Sequence, residues 1–256
     1  MKLAIIGYGK MGKMIEQIAN AQGHTVSAIV DPFAKDALSK VQISKTIADL
    51  NFDSIDAAIE FTQPDTAVQN MITLAERKIP TVTGTTGWHE RMGEVSKAVE
   101  KEKSALLWAS NFSIGVNMFY RIAWYAAELA NNFDEYDAGG FEAHHNKKMD
   151  SPSGTAKVLA EGVLSRLDRK KKIVWETMNR KPQVDELHFP SLRMGSVPGT
   201  HSLFFDCPAD TIEITHTARS REGFATGAVL AAKWLTAKER HGIFTIDEML
   251  KDIFRD

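Results

Sequence analysis

A single cysteine, Cys207, is all that this chain of 256 residues carries, so no intrachain disulfide can form. That absence fits a reducing compartment, and a cytoplasmic location is the expectation. No stretch reaches the ~18 apolar residues of a membrane-spanning helix. The opening residues, MKLAIIGYGK, hold a short apolar run that ends in a glycine turn without a cleavage-type tripeptide, so they do not read as a signal peptide. Neither charge dominates. A formal net charge of -2 lacks the basic surplus of nucleic-acid-binding proteins. Internal repeats and low-complexity tracts are also missing. What remains is 43% hydrophobic and 25% charged, an ordinary globular composition long enough for one large or two modest domains.

The polar chemistry is concentrated in one stretch, Glu142 to Ala156, which reads EAHHNKKMDSPSGTA. Only Ala143, Met149 and Ala156 in it are clearly apolar. Imidazoles move protons near neutral pH, and an ammonium holds a carboxylate or gives up a proton. His144 and His145 at a strand end would point to opposite sides. Ser153-Gly154-Thr155 reads as the cap of a helix beginning near Ala156, where N–H groups and hydroxyls can take a carboxylate. The stretch therefore suggests proton transfer on an anionic substrate.

The first half of the chain supplies a second signal. Leu3 to Ile6 reads as a buried strand, followed by Gly7-Tyr8-Gly9-Lys10-Met11-Gly12, which is G-x-G-x-x-G. Met11, Met14, Ile15 and Ile18 then recur at helical spacing, and Gly23 closes that helix. Thr25 to Val30 reads as a second strand ending at Asp31. Strand, glycine turn, helix, strand and acid together form a dinucleotide-binding βαβ unit. The first glycine permits the turn, the second lets a pyrophosphate approach, and the third lets helix and strand pack. Asp31 is placed for the adenosine ribose hydroxyls, and its charge opposes a 2′-phosphate. NADH is the expected cofactor, with some NADPH use, since Lys10, Lys13 and Lys35 lie near.

Alternation continues. Strands are expected at 56–61, 81–83 and 104–108, and helices at 66–77 and 90–103. The loops at Phe61-Thr62, Gly84-Thr85-Thr86 and Ala109-Ser110-Asn111-Phe112 would then share the ligand-binding edge of a parallel sheet. A long helix, 114–131, carries Val116, Phe119, Ile122, Ala123, Ala126 and Leu129, expected largely on one face. After it come a strand at 137–143, a helix at 155–167, and strand-like segments at 173–176, 187–192, 200–206 and 211–218. Helices are expected at 227–237 and 243–254. This order predicts an α/β protein: a Rossmann-type parallel sheet domain (1–113 and 222–256) plus an α+β domain with a mixed sheet (114–221) for substrate binding and oligomerisation.

Smaller signals stay open at this level. Arg221 would clamp a carboxylate or hold an interface, and Phe224 would cover the nicotinamide or join the core. His216 reads as a strand histidine and Cys207 as a buried structural thiol. A zinc site at His144, His145, Glu142 and Asp150 matches no ligand spacing, and adjacent lysines would repel a cation, so no metal is expected.

These residues carry a resemblance. The chain resembles the 4-hydroxy-tetrahydrodipicolinate reductase (dihydrodipicolinate reductase) family of the diaminopimelate route to lysine, over essentially its whole length. The pattern E-x-H-H-x-x-K-x-D-x-P-S-G-T-A is complete from Glu142 to Ala156. The glycine motif, F-T at Phe61, G-T-T-G-W at Gly84 and S-N-F-S at Ser110 occur in the family's order. The resemblance implies that His144 donates or accepts a proton and that Lys148 donates one, while His145, Gly154 and Thr155 bind substrate beside Ser153. It assigns the cofactor to Gly7–Gly12, Asp31, Gly84–Thr86 and Ala109–Phe112, and it implies a homotetramer built through the second domains. Pro32 departs from the family, several members of which carry an arginine there, and this weakens the case for NADPH. A binding protein that kept the fold and lost the chemistry is the competing reading; the intact His144, His145, Lys148 set speaks against it. So is a dehydrogenase of amino-acid semialdehydes or sugars on a similar fold.

Overall fold

Short apolar runs alternate with amphipathic stretches, and the chain accordingly alternates strands with helices. A computed structural model describes residues 1–39 and 41–254. In chain order come β1 (Lys2–Ile6), α1 (Lys10–Ala21), β2 (Thr25–Val30), β3 (Ile43–Ser44), β4 (Ala57–Glu60), α2 (Pro64–Glu76), β5 (Thr81–Thr83), α3 (Met92–Lys101) and β6 (Ala105–Trp108). There follow α4 (Ile114–Ala130), β7 (Asp137–His144), α5 (Gly154–Leu164), β8 (Lys172–Val174), β9 (Glu186–His188), β10 (Ser191–Arg193), β11 (Thr200–Asp206) and β12 (Thr211–Thr217). The chain closes with α6 (Glu222–Thr236), β13 (Gly242–Thr245) and α7 (Ile246–Phe254). It divides into two compact units, Met1–Ser113 with the stretch from Arg221 on, and Ile114–Ser220.

The first unit is a seven-stranded sheet in the order β13-β6-β5-β4-β1-β2-β3, with every pairing parallel. Leu3–Ile6 and Ala57–Ile59 are fully buried, as strands covered on both faces must be, which explains their unbroken apolar runs. Strand order reverses at β1, which lies between β2 and β4, so the loops after β1 and β4 form the crevice where such sheets bind ligands.

The second unit is a mixed sheet in the order β12-β11-β7-β9-β8, with β10 also on β7. Strand periodicity decides what each face carries. Ala138, Gly140, Glu142 and His144 share one face of β7, and their partners Phe205, Leu203 and His201 share that of β11. At one end this face is apolar, with Leu203, Phe205 and Ala138 packed under Leu159 and Val163 of α5 and Phe119 and Ala123 of α4. Each such large side chain contributes about 1.5–3 kcal/mol by burial. At the other end the same face carries Glu142, His144 and His201, all buried.

Several boundaries differ from expectation. The segment 187–192 is two strands, β9 and β10, because Pro190 interrupts it. The last helix is preceded by β13, whose four residues were too few to stand out beside α7. Helix α6 starts at Glu222, five residues before the expected 227. On α4 the buried stripe is Val116, Phe119, Tyr120, Ala123, Ala127 and Ala130, whereas Ile122 (53% exposed) and Leu129 (50%) lie outside it. Apolar residues all round this helix hid its true face. Cys207 is not a buried thiol: it is half-buried in the β11–β12 turn, where its N–H donates to Asp210 O. Among the described residues no helix is long and apolar enough to cross a membrane.

Candidate active site

Close approach of backbones builds the nucleotide crevice. Gly7 has φ +91°, and a Cβ on it would lie 2.1 Å from the Phe61 carbonyl, so the β1 loop passes the β4 loop only as glycine. A Cβ on Gly12 would lie 2.2 Å from Gly7 O, which lets α1 pack down on the turn. Around Gly9 nothing stands within 4 Å of the Cβ position, so that side is open. Helix α1 starts at this open glycine with no side-chain cap and no acid in its first turn. Its N-terminal N–H groups and dipole therefore face the crevice uncompensated. A cleft of about 490 Å³ lies there, bounded by Gly9, Lys10 and Met11, by the 61–64 and 84–86 loops, and by Arg221.

Glu60 organises two of those loops and was not anticipated. Fully buried at the end of β4, it accepts from Thr62 N (3.0 Å) and Thr85 Oγ1 (3.1 Å), and from Thr62 Oγ1 and Thr83 Oγ1. A buried acid ending an apolar strand was its only mark in the sequence.

The remaining nucleotide candidates divide. Tyr8 is buried with its phenol on Glu16, and burial followed by that hydrogen bond pushes its pKa up to about 12, so the phenol is held neutral inside the unit. Asp31 accepts N–H bonds from Tyr8 (2.7 Å), Phe33 (2.8 Å) and Ala34 (2.9 Å). Burial acts to raise its carboxyl pKa, but these donors outweigh it and hold the group below its ordinary value. Asp31 thus clamps the glycine loop to the segment after β2. Ala109 and Phe112 are buried, Ser110 is exposed, and Asn111 folds its side-chain oxygen onto Ser113 N (2.9 Å). The Phe112 ring lies 6.1 Å from that of Phe61. Asp31, Ala109–Phe112 and half-buried Phe224 do not line the cleft.

In the second unit the polar stretch leaves β7 and turns. Glu142, two residues before His144 on the same face, presses Oε2 against His144 Nδ1. Its Oε1 accepts from Arg193 Nη2 at 2.8 Å and from Ser153 N at 3.3 Å. The same guanidinium nitrogen donates to Asp150 O at 2.7 Å, tying β10 to the loop. His201, opposite Glu142 on β11, brings Nε2 to 3.2 Å from Ser153 Oγ, and its ring meets that of His144 edge-on at 5.2 Å. Burial acts to raise the Glu142 pKa, but His144, Ser191 and Arg193 hold it far below the usual carboxylate range. Burial, then the neighbouring His144, pushes His201 down to about 4.

Lys148 stands half-buried beside Asp150, Nζ to Oδ1 2.8 Å. His145 is half-buried, with Nδ1 enclosed and lacking a hydrogen-bond partner among the described residues. Ser153 opens the expected cradle from inside the unit. It is buried, and its hydroxyl is used internally, accepting from Ala156 N (3.1 Å) as the cap of α5 and meeting His201. The exposed start of that helix is left to Gly154 and half-buried Thr155.

Glu142, His144 and His201 present ligand-type atoms within 4.8 Å of one another, a grouping the sequence did not suggest. Arg193 sits on the same carboxylate, so a metal cation there would meet a guanidinium.

Comparison with known proteins decides the family. The model for the N-terminus of dihydrodipicolinate reductase matches residues 1–112, and that for its C-terminus matches residues 115–250. This chain belongs to the dihydrodipicolinate reductase family. One 4-hydroxy-tetrahydrodipicolinate reductase, from Christiangramia forsetii, is 38% identical over 100% of both chains. Another, from Archaeoglobus fulgidus, is 35% identical over 98% of this chain and 100% of its own. The fold is shared with dipicolinate-bound dihydrodipicolinate reductase from Paenisporosarcina sp. TG-14, at TM-score 0.77 and 20% identity, covering 96% of this chain and 97% of that one. Within the dihydrodipicolinate reductase frame, Glu60, Arg193 and His201 are the residues that sequence reasoning missed. Arg193 and His201 lie 43 or more positions beyond Asp150, and only strand pairing to β7 brings them to the cluster.

Proposed function

We propose that the protein reduces 4-hydroxy-tetrahydrodipicolinate to tetrahydrodipicolinate with NAD(P)H, in the diaminopimelate route to lysine. The observation that carries this reading is the family's complete polar signature folded at the end of β7, with Glu142 set behind His144 and Lys148 paired with Asp150 in the loop that follows. The residues of the first unit fit a dinucleotide: α1 begins uncapped at a glycine whose outer side is empty. When bound there, NAD(P)H supplies the hydride. Gly9, Lys10 and Met11 would hold the pyrophosphate, and Asp31 the adenosine ribose. That carboxylate favours NADH, with NADPH tolerated.

The protein's own share of the chemistry is binding and proton transfer. The α5 terminus at Gly154 and Thr155, with His145, holds a ring carboxylate and fixes the ring's orientation. Loss of water leaves a conjugated imine in the substrate ring, and the ring carbon made electron-rich by reduction must then take a proton. His144 and Lys148 are the acids at hand. A homotetramer in the cytoplasm completes the proposal. The second unit's outer sheet face carries a Phe141–Phe204 stack that is only half-buried within one chain, which favours a partner there.

The test follows NADH absorbance with freshly generated substrate. Turnover is expected, and His144→Gln should lower kcat by ~10²–10⁴-fold while NADH binding changes little. Tight NADH binding without turnover would replace the reductase by a binding protein. Near wild-type turnover in His144→Gln would remove that side chain from the mechanism.

A further inference from the structure

His144 has two ring nitrogens, and the structure treats them differently. Nδ1 faces Glu142 Oε2 inside the unit. A carboxylate accepts and does not donate, so the neutral ring is held with its hydrogen on Nδ1 and its lone pair on Nε2. Glu142 is itself immobilised: it is fully buried, and its other oxygen takes Arg193 Nη2 (2.8 Å) and Ser153 N (3.3 Å). Those two partners come from β10 and from the cap of α5, so the carboxylate cannot turn without breaking both.

Nε2 faces Gly199. A Cβ on that residue would lie 2.9 Å from Nε2, and Gly199 has φ +152°, where a side chain is strained. The space in front of Nε2 therefore stays open because residue 199 carries no side chain. The other charged or titratable groups around the pair are Arg193 on β10, His201 on β11, His216 opposite it on β12, and Lys148 and Asp150 in the loop after β7. None of these takes the place of Glu142 Oε2, the carboxylate oxygen set against Nδ1.

We propose that Glu142 is a positioning residue for His144: it fixes the Nδ1–H form, stabilises the imidazolium once Nε2 is protonated, and so makes Nε2 the atom that exchanges a proton with substrate, while Gly199 keeps that atom accessible. This deepens the reductase reading and rests on it. Glu142 does not touch substrate; it acts through the ring. The proton balance is simple. Nε2–H of the imidazolium passes its proton to the electron-rich ring carbon, the ring returns to its neutral Nδ1–H form, and solvent restores the proton.

The test uses the full-length protein and Glu142→Gln. Losing the charge behind the ring should lower kcat by about 10–100-fold, the usual cost of removing such an outer partner. KM for substrate and the Kd for NADH should stay within about threefold, since neither ligand meets Glu142. Nitrogen-15 spectra should show wild-type His144 with its neutral-state hydrogen on Nδ1, and a mixture of tautomers in Glu142→Gln. If the single variant fails to fold with Arg193 left unpaired, Glu142→Gln/Arg193→Met removes both charges and is read the same way. A kcat loss in which the Glu142→Gln ring keeps the single Nδ1–H tautomer of the wild type would mean a merely structural role and overturn the proposal. So would unchanged turnover, or a wild-type ring carrying its hydrogen on Nε2. If the wild type does not turn over at all, the reductase reading fails instead, and the spectra alone then decide the Glu142–His144 relation.

Discussion

Acid should weaken the fold through one buried imidazole before it reaches the carboxylates. His201 is 3% exposed, contacts Ser153 Oγ through Nε2, and has its pKa pushed down from 6.5 to about 4 by burial, with His144 adding to the effect and Glu142 opposing it. The folded value lies below the unfolded one, so the unfolded chain takes up this proton first as pH falls. The stability from a neutral His201 is thus complete above about pH 6.5 and is lost progressively toward pH 4. Between pH ~7.5 and pH ~5 the unfolded ensemble gains roughly a thirtyfold weight from this group, about 2 kcal/mol. That is a sizeable part of the ~5–15 kcal/mol that holds a typical domain together. His216 and His24 are shifted the same way by burial, so wild type alone does not isolate the effect. Urea unfolding of wild type and His201→Gln at both pH values does, because glutamine keeps a polar atom near Ser153 without titrating. The wild type should lose about 2 kcal/mol more than the variant, with m unchanged. Equal losses, or a folded-state imidazole titration of His201 near its unperturbed value, would refute the reasoning.

Backbone packing and charge lead to two further outcomes. Gly227 on α6 lies so close to the 109–112 loop that an added Cβ would sit 1.8 Å from Phe112 O; Gly227→Ala should cost about 1–3 kcal/mol, and an unchanged Tm would show that the helix can shift freely. Asp31 is held ionised by three backbone donors at the end of β2, so kcat/KM should be higher with NADH than with NADPH, and a clearly higher value with NADPH would end the argument from its charge.

The parallel sheet was legible because its strands are buried on both faces. Leu3–Ile6 and Ala57–Ile59 have no polar residue to break the run, and the glycine turn after β1 fixes where α1 begins. The elements that were misread lack such a mark. β13 is four residues long, half-buried throughout, and runs directly into α7, so its apolar residues read as part of the helix. α4 fails for the opposite reason: its apolar residues surround the axis, so period alone does not tell the packed stripe from the exposed one. Only the sheet beneath makes Val116, Phe119, Ala123 and Ala127 the inner face.

The site was legible to the extent that it is local. His144, Lys148 and the α5 cap lie within a dozen residues, and their chemistry can be read in one line of sequence. What arranges them is not local. His201 reaches Glu142 because β11 pairs antiparallel with β7 in a register that puts 201 opposite 142, and a slip of one residue would turn its ring to the other face of the sheet. Arg193 reaches the same carboxylate because β10 pairs parallel on the other side of β7, with 193 opposite 144. The partner of the Ser153 hydroxyl was hidden for the same reason. A Ser-Gly-Thr cap looks wholly exposed in the sequence, but His201 meets the Ser153 hydroxyl and Glu142 takes its backbone N–H inside the unit. Sequence thus names the polar stretch itself, while register selects the Arg193 and His201 that pack behind it on Glu142.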